Sequence, residues 1–296
     1  MPSLPAYPSA TRLRLGRNFA AWLGVMPFFI FSALFLILPT GLLLTGAFQD
    51  NSGQPTLQNI INLARPDIVN SFALSLKISA TSALGGALIG FALAYAAVTG
   101  GLPAWIRPTL MTFSGVASNF AGVPLAFAFI ATLGRTGLVT AALIKLFDFN
   151  IYSAGFNLLD FWGLTLTYLY FQIPLMVLIL TPAIDGLKKE WREASAILGS
   201  STFQHWRYII LPILWPSITG ATLLLFANAF GAVATAYALT NSSLNIVPIL
   251  LFSQIRGDVF HDPNLGYALA FGMVAITGVS NLVYILLRAR SERWLK

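Results

Sequence analysis

Residues 193–212 read EASAILGSSTFQHWRYIILP, a charged and polar segment that lies between long apolar runs. The whole chain is 57% hydrophobic and only 9% charged, so a polar segment of this length stands out. A soluble core needs far less apolar sequence than this. The composition indicates an integral membrane protein, and the question is why its apolar sequence is interrupted at this point.

The segment has the pattern of a helix, a turn and a second helix. Helix-forming residues occupy 187–198 and 202–210. Gly199 can adopt the positive φ that ends a helix, and a serine or threonine at 201 or 202 can cap the next one. Pro212 is predicted to stop the second helix, because proline has no backbone N–H to continue it. Such a polar hairpin is suited to docking into another protein.

Charge and cysteine content exclude several other functions. The formal net charge is +7, but the basic residues lie in short clusters that flank apolar runs, which argues against a nucleic-acid surface. The chain has no cysteine and two isolated histidines, so disulfide, thiolate and zinc chemistry are not indicated and no metal site is predicted.

The apolar runs predict an all-α membrane protein with six transmembrane helices, since about 20 apolar residues are needed per span. The predicted spans are 20–47, 71–98, 106–133, 157–183, 213–240 and 266–288. A weaker run at 138–147 is too short to span and is predicted to form a small helix at the membrane surface. The predicted divisions are a cytoplasmic tail (1–19), a six-span domain (20–290) with a cytoplasmic loop (184–212), and a cytoplasmic end (291–296).

The distribution of Lys and Arg sets the orientation, because cytoplasmic loops are enriched in both. With both termini in the cytoplasm, twelve of the 17 basic residues face that side. They are Arg12, Arg14, Arg17, Arg107, Lys188, Lys189, Arg192, Arg207, Arg288, Arg290, Arg293 and Lys296. The 193–212 segment is therefore predicted to be cytoplasmic, between the fourth and fifth spans.

The spacing of residues in this segment resembles a known motif. Glu193-Ala194-Ser195, three residues, Gly199, nine residues and then a run ending in Leu211-Pro212 are similar to the Glu-Ala-Ala loop of permease subunits in binding-protein-dependent ABC importers. Ser195 replaces the usual alanine, a change between two small residues. The stretch SFALSLKISATSALGGALIGFALAYA at 71–96 also resembles the second span of such permeases.

This resemblance implies the type I ABC importer permease fold, with a coupling-helix hairpin between spans 4 and 5. Its implied ATPase-coupling residues are Glu193, Ala194, Ser195, Gly199, Leu211 and Pro212. The implied partners are two ATPase subunits, a second and different permease (a homodimer is the alternative) and an extracytoplasmic substrate-binding protein. No cofactor is expected in this chain, because ATP and Mg would bind to the ATPase subunits. The implied location is the bacterial inner membrane.

Polar side chains within the predicted spans are candidates for the transport path, since they are costly in hydrocarbon. They are Ser118, Asn119, Gln172, Asn228, Lys77 and Asp160. Hydrogen bonding between helices is the alternative for the amides, and Lys77 has the alternative of reaching the outer interface. Gly115, Gly122, Pro124 and Pro174 should loosen or kink their helices.

The outer segments 241–265 and 48–70 are predicted contacts for the binding protein, with solvated loops as the alternative. Four residues within 241–265 belong either to this predicted contact or, equally, to a solvent-exposed charge cluster. They are Arg256, Asp258, His261 and Asp262.

Two other functional classes, a secondary transporter and a membrane enzyme, fit the sequence less well. An ion-coupled secondary transporter would use intramembrane carboxylates or the ends of half-helices, and among the carboxylates Asp160 alone lies near a span, at its edge. An enzyme would need a catalytic motif, and the sequence has neither one nor a phosphate-binding loop. ATP hydrolysis therefore belongs to a partner. Among these importers the sequence resembles the spermidine/putrescine, phosphonate and ferric-iron branch, and this resemblance implies polyamines as the substrate, with phosphonate or ferric iron as alternatives.

Overall fold

The computed structural model describes residues 22–50, 52–241, 243–256 and 262–292. In these ranges the chain is almost entirely helical. In chain order the helices are α1 (Trp22–Gly46), α2 (Gln58–Asn62), α3 (Pro66–Thr99), α4 (Ile106–Ala117), α5 (Val123–Leu133), α6 (Leu138–Phe147), α7 (Phe161–Asp185), α8 (Lys189–Ile197), α9 (Thr202–Phe230), α10 (Val233–Thr240), α11 (Val247–Arg256) and α12 (Pro263–Glu292). The predicted tail 1–19 and residues 293–296 lie outside the described ranges.

Six runs in the described part are long and apolar enough to cross a membrane. They are Trp22–Gly46, Pro66–Thr99, Val123–Phe147, Phe161–Asp185, Thr202–Phe230 and Pro263–Leu286. The number agrees with the sequence prediction, but the third and fifth runs differ in their limits. The helical bundle is therefore the predicted one with two of its spans rearranged.

The centre of the bundle is the pair α3 and α7, which run parallel because their contacts advance together along both helices. Gln172 Nε2 donates a hydrogen bond to Ser82 Oγ at 2.8 Å, and further along a Cβ on Gly90 would lie 2.6 Å from Met176 Cβ. Gly86 likewise faces Gln172. The Gly-x-x-x-Gly spacing at 86–90 thus serves close packing inside the chain, because only glycine leaves room for α7.

The predicted third span at 106–133 is not one continuous helix. Helix α4 ends at Ala117 and α5 begins at Val123, with a non-helical segment between them. Gly122 has φ 75° and ψ −148°, a conformation open to glycine, and Pro124 lies in the first turn of α5, where its missing N–H costs nothing. Glycine and proline therefore divide the span, while Gly115 and Pro174 remain inside continuous helices.

The ten-residue helix predicted at 138–147 is present as α6. Length and composition alone also allow α5 and α6 to form one span, Val123–Phe147. Residues 134–137 are not helical, however, and a Cβ on Gly137 would lie 2.5 Å from Thr132 O. The turn therefore separates α6 from α5.

The predicted stop at Pro212 is wrong, and the predicted fifth span at 213–240 is not one continuous helix. Helix α9 runs from Thr202 through Pro212 to Phe230, with a π-helical segment at Trp206–Ile210. In this segment Leu211 N donates to Trp206 O, five residues back. The wider turn accommodates the proline, so the helix continues. It ends instead at Gly231, and α10 follows as a separate helix.

The two ends of the bundle can be assigned from α7. Asp185, at its C-terminal end, leads directly into the hairpin, whereas Asp160 precedes its first residue at the opposite end. We call these the hairpin end and the far end. Leu110 of α4 packs in the apolar cluster that contains Ile184, whereas Leu125 of α5 packs in the cluster that contains Leu158. The break between α4 and α5 therefore lies at middle depth.

The predicted outer loop 241–265 contains helix α11, which packs against the bundle. Val247 and Ile249 are buried, and Val247 N donates to Ser75 Oγ of α3 at 2.9 Å. In the other predicted outer segment, Asn59 of α2 donates to Ala47 O and Gln49 O, which fixes the connection after α1. Asp258 and His261 lie outside the described residues.

Candidate functional site

The hairpin consists of α8, a tight turn and the start of α9. Gly199 has φ 74° and donates from its N to Ala196 O at 3.0 Å, while Ser200 N donates to Ser195 O at 3.0 Å. This pair of bonds is the Schellman arrangement that closes a helix with a glycine in the left-handed region. The predicted role of Gly199 in the turn is confirmed.

The second helix of the hairpin begins with a capping box. Ser201 Oγ accepts a hydrogen bond from Gln204 N at 3.2 Å, and Gln204 Oε1 accepts one from Ser201 N at 2.8 Å. Two backbone donors at the helix start are thereby satisfied. The predicted cap at 201 or 202 is therefore at Ser201.

Ser195 connects the two helices of the hairpin. Its side chain is 6% exposed, and its Oγ lies 2.8 Å from both Arg192 O and His205 Nδ1. A serine hydroxyl can donate one hydrogen bond and accept others, so Ser195 can bond to both atoms at once. The alanine of the usual motif could not form this link, so the departure from the motif has a structural purpose in this chain.

The hairpin presents apolar side chains outward. Ile197 is 86% exposed and Leu198 is 85% exposed, and Glu193 is exposed beside them. A cavity of about 630 Å³ lies between the helices and is lined by residues that include Trp191, Leu198 and Tyr208. Large apolar side chains beyond the end of the bundle, next to a cavity, are typical of a protein-binding surface.

The other predicted coupling residues lie on either side of this surface. Ala194 is exposed on α8 and also lines the cavity. Leu211 is half-buried and Pro212 is exposed, both inside the continuous helix α9. Their coupling role stays a prediction.

Two helix breaks lie side by side in the bundle. Gly122 N, in the α4–α5 break, donates to Thr235 Oγ1 of α10 at 2.7 Å. Tyr168 Oη of α7 donates to Ala232 O, in the α9–α10 break, at 2.9 Å. We call these two bonds the break clamp. The first bond gives a partner to the Gly122 N–H, which the α4–α5 break leaves unpaired, and the second adds a side-chain donor to Ala232 O, which also accepts from Ala236 N at 3.5 Å.

Sequence reasoning missed Thr235 and Tyr168. Both are almost completely buried, and their partners are distant in sequence. The glycines at 122 and 231 were the available signal that a backbone group would need a partner nearby. They could not reveal which side chain supplies it.

Three predicted path residues lie at the breaks. Ser118 is half-buried, and Asn119 is exposed and donates to Gly115 O at 2.9 Å. Asn228 is exposed in the last turn of α9. These polar groups are at the surface of the chain at middle depth, where lipid would be an unfavourable neighbour.

The other three predicted path residues are elsewhere. Gln172 is 0% exposed and bonded to Ser82, which is the packing alternative, and its Oε1 has no partner. Lys77 is exposed on α3. Asp160 is the N-cap of α7 and accepts from Trp162 N and Gly163 N. The structure therefore does not bring the six residues together, and their role in transport stays a prediction.

A six-span helical bundle with two interrupted helices and an exposed polar hairpin is a membrane permease in architecture. Residues 138–296 match the family described as the binding-protein-dependent transport system inner membrane component, and the chain belongs to this family. It is the permease subunit of an ABC importer.

Its relatives include proteins with different substrates in their names. The spermidine/putrescine transport system permease protein PotB of Haemophilus influenzae is 26% identical over 264 residues, which are 86% of this chain and 90% of that protein. A probable sulfate transport system permease protein, cysT of Nephroselmis olivacea, is 25% identical over 231 residues, 75% of this chain and 74% of that one.

Solved structures share the fold. A bacterial ABC transporter involved in the import of the acidic polysaccharide alginate matches with a TM-score of 0.71 at 15% identity, over 97% of this chain and 100% of that chain. The alginate transporter in complex with a pentasaccharide-bound periplasmic protein matches with a TM-score of 0.68 at 16% identity, over 95% and 96% of the two chains.

Proposed function

We propose that this chain is one of two permeases in an ATP-driven polyamine importer and that its hairpin couples it to the ATPase subunits. The observation that carries the coupling proposal is the exposed surface of α8. Ile197 and Leu198 are almost fully exposed although they are large and apolar, and they follow the Glu-Ala-Ser motif directly. An exposed apolar surface of this kind is typical of a site that a partner protein covers.

The hairpin is connected to two helices of the bundle, α7 and α9. Helix α7 enters it at Asp185, and α9 leaves it without interruption and ends at the break beside Asn228. A rigid movement of the hairpin would therefore move α9 and the break clamp together. ATP and Mg would bind to the ATPase partner beneath the hairpin. That partner would hydrolyse the ATP.

The hairpin end is assigned to the cytoplasm. Arg107, Lys188, Lys189, Arg192 and Arg207 all belong to segments at this end, as the positive-inside rule requires. The far end then faces the extracytoplasmic side, and both termini are cytoplasmic. The compartment would be the bacterial inner membrane.

The second permease would cover the face that carries Ser118, Asn119 and Asn228. Exposed amides at middle depth need polar partners or water, and two permeases facing each other would enclose a polar path between them. We propose a different second permease, because the polyamine relatives include both PotB and PotC proteins.

The substrate assignment rests on the relative that covers most of this chain, the spermidine/putrescine permease. Phosphonate and ferric iron are the alternatives from the sequence resemblance, and the sulfate relative adds a further one. The neutral amides of the path favour no charge by themselves. The binding protein would supply most of the selection.

The test uses the complete importer in lipid nanodiscs and liposomes, with its ATPase, second permease and binding protein. Binding protein loaded with spermidine or putrescine should stimulate ATP hydrolysis and drive uptake of the labelled polyamine. Stimulation by sulfate, phosphonate or ferric iron instead would overturn the substrate assignment. Uptake driven by an ion gradient without ATP would replace the importer interpretation by that of a secondary transporter.

A further inference from the structure

The far end carries a polar pocket that the proposed function does not use. It has a volume of about 400 Å³ and lies in the connection between α5 and α7. Its polar lining residues are Arg135, Asn150, Tyr152, Ser153 and Asn157. We call it the outer pocket. It lies at the end of α7 opposite the hairpin, outside the two segments predicted to contact a binding protein.

Arg135 is exposed, and the pocket orients it through its contact with the Tyr152 ring. The guanidinium Cζ lies 5.6 Å from the centre of the Tyr152 ring. That ring is fixed in turn, because Tyr152 Oη donates to Leu133 O at 2.8 Å and the ring packs against Phe156. Partial burial raises the pKa of the Tyr152 phenol, against the lowering effect of Arg135. The ring therefore carries no negative charge to neutralise the guanidinium.

The two side-chain amides of the outer pocket each accept one backbone hydrogen bond. Asn150 Oδ1 accepts a hydrogen bond from Tyr152 N at 2.9 Å, and Asn157 Oδ1 accepts one from Leu159 N at 3.1 Å. These bonds orient both amides and leave their NH₂ groups available. The Ser153 hydroxyl adds a further donor. The available groups of the pocket are therefore mainly donors.

Arg135 also has no acidic partner in the described part of the chain. The ion pairs there are Arg65–Asp67 and Arg107–Asp185. A fixed guanidinium with two amide NH₂ groups is a suitable environment for a carboxylate, whose oxygens accept several hydrogen bonds. The pocket thus lacks a negatively charged acceptor.

We infer that the outer pocket receives an Asp or Glu side chain of the extracytoplasmic substrate-binding protein. This inference rests on the proposed function, which assigns the far end to the extracytoplasmic side of the membrane. The pocket is also joined to the path. Ser243 Oγ donates to Leu159 O at 3.1 Å, which ties the pocket's segment to the connection after α10. Leu133, which holds Tyr152, is the last residue of α5.

A protein carboxylate fits these connections better than a lipid phosphate does. A docked protein would contact the segments attached to α5 and α10, and both of these helices begin at the break clamp. Docking could therefore shift the two helices where they border the path. A solved structure of the same fold holds a periplasmic protein in complex. A lipid headgroup is an outcome of the test below.

The experiment titrates loaded binding protein against the complete importer in nanodiscs and measures the stimulation of ATPase activity. Arg135→Gln should raise the half-saturating concentration of binding protein about three- to tenfold while basal ATPase activity stays the same. Asn150→Asp should do the same, because it keeps the Oδ1 acceptor for Tyr152 N and places a negative charge in the pocket. Lys145→Gln is the matched control, since Lys145 is an exposed cation of α6 that does not line the pocket.

The outcomes separate this inference from the proposed function. If loaded binding protein fails to stimulate the wild-type importer, the proposed function is wrong. If it stimulates wild type and Arg135→Gln at the same half-saturating concentration, the outer pocket is not the docking site. If Arg135→Gln changes only the dependence of basal activity on anionic lipid, the pocket binds a headgroup and the inference is overturned. Restoration by an acid-to-Arg change in the binding protein paired with Arg135→Glu would support it directly.

Discussion

The hairpin and the break clamp are both interruptions of apolar sequence, but different interactions hold them. In the hairpin, the bonds join residues close in sequence, such as Ser201 with Gln204 and Ser195 with His205, and most lie near the surface. In the break clamp, the bonds join Gly122 to Thr235 and Tyr168 to Ala232, across different helices and inside the bundle.

This difference indicates how each region responds to force. Surface bonds between near neighbours keep the hairpin folded as a small unit while the hairpin moves as a whole. The bonds of the break clamp join the α4–α5 break to α10 and the α9–α10 break to α7, so that a shift of α10 away from α5 would leave the Gly122 N–H without its partner in hydrocarbon. We therefore expect the hairpin to move as one unit and the break clamp to keep the two breaks in contact.

The largest expected effect is at the hairpin turn. Gly199→Pro should reduce transport by more than tenfold with all spans inserted, because proline cannot adopt φ 74° and removes the N–H that bonds to Ala196 O. Gly199→Asn is the matched control, since asparagine tolerates the left-handed region. The measurement is polyamine uptake together with ATPase activity. Normal uptake in a well-folded proline variant would count against the coupling role.

The break clamp comes next. Thr235→Val keeps the side-chain shape but leaves Gly122 N without a partner, which should lower the free energy of unfolding by about 1–3 kcal/mol. Tyr168→Phe should have a smaller effect in the same direction, because Ala232 O keeps its bond from Ala236 N. Binding-protein stimulation of ATPase should fall in both variants. The control is Thr240→Val, since the Thr240 hydroxyl bonds to Ala236 O within its own helix.

Thermal unfolding of the purified chain in detergent checks this prediction. If Thr235→Val and Thr240→Val have the same stability and the same stimulation, the hydroxyl of Thr235 does not hold the break in the way described.

The link between Ser195 and His205 should have a smaller effect. Ser195→Ala restores the residue type of the usual motif and removes one neutral hydrogen bond, worth about 0.5–1.5 kcal/mol. We expect a modest loss of stimulation in each of Ser195→Ala and His205→Ala. The double variant should be no worse than either single one, because the two residues share one interaction. Additive losses in this cycle would contradict the link.

The smallest effect is expected at the ion pair of Arg107 and Asp185, which joins the start of α4 to the end of α7 beside the hairpin. Both side chains are partly exposed, at 44% and 40%, so the pair should contribute about 0–1 kcal/mol. Arg107→Gln should change stability by no more than this, with the difference shrinking at high salt. A much larger and salt-independent loss of coupling would show that the pair has a mechanical role.

The hairpin was readable from sequence because its signals are local. Gly199, a capping hydroxyl and the motif spacing all act within a few residues. The predicted effect of Pro212 was wrong, because the π-helical segment Trp206–Ile210 just before it lets the helix continue. No rule based on a single residue predicts this adjustment. Gly122 and Pro124 correctly indicated a weakened helix. Their partner Thr235 depends on the tertiary fold and could not be predicted.

The path residues show the same limit. Gln172, Asn119 and Asn228 have equal standing in the sequence, as amides inside apolar runs. Only the packing of α3 against α7 separates the buried Gln172 from the two exposed asparagines, because Gly86 and Ser82 bring α3 close to α7 at that point. Which side of a helix faces the bundle is decided by such contacts.

The π segment at Trp206–Ile210 makes the hairpin and the fifth span a single lever. Because Pro212 does not break it, α9 extends for 29 residues from the turn at Gly199 to the break at Gly231. At 1.5 Å per residue this is an arm of about 44 Å, so a tilt of about 5° at its base would carry its tip by about 4 Å. Pro212, which was expected to end the helix, lies within this arm, so a small displacement at the hairpin would become a larger one at the α9–α10 break.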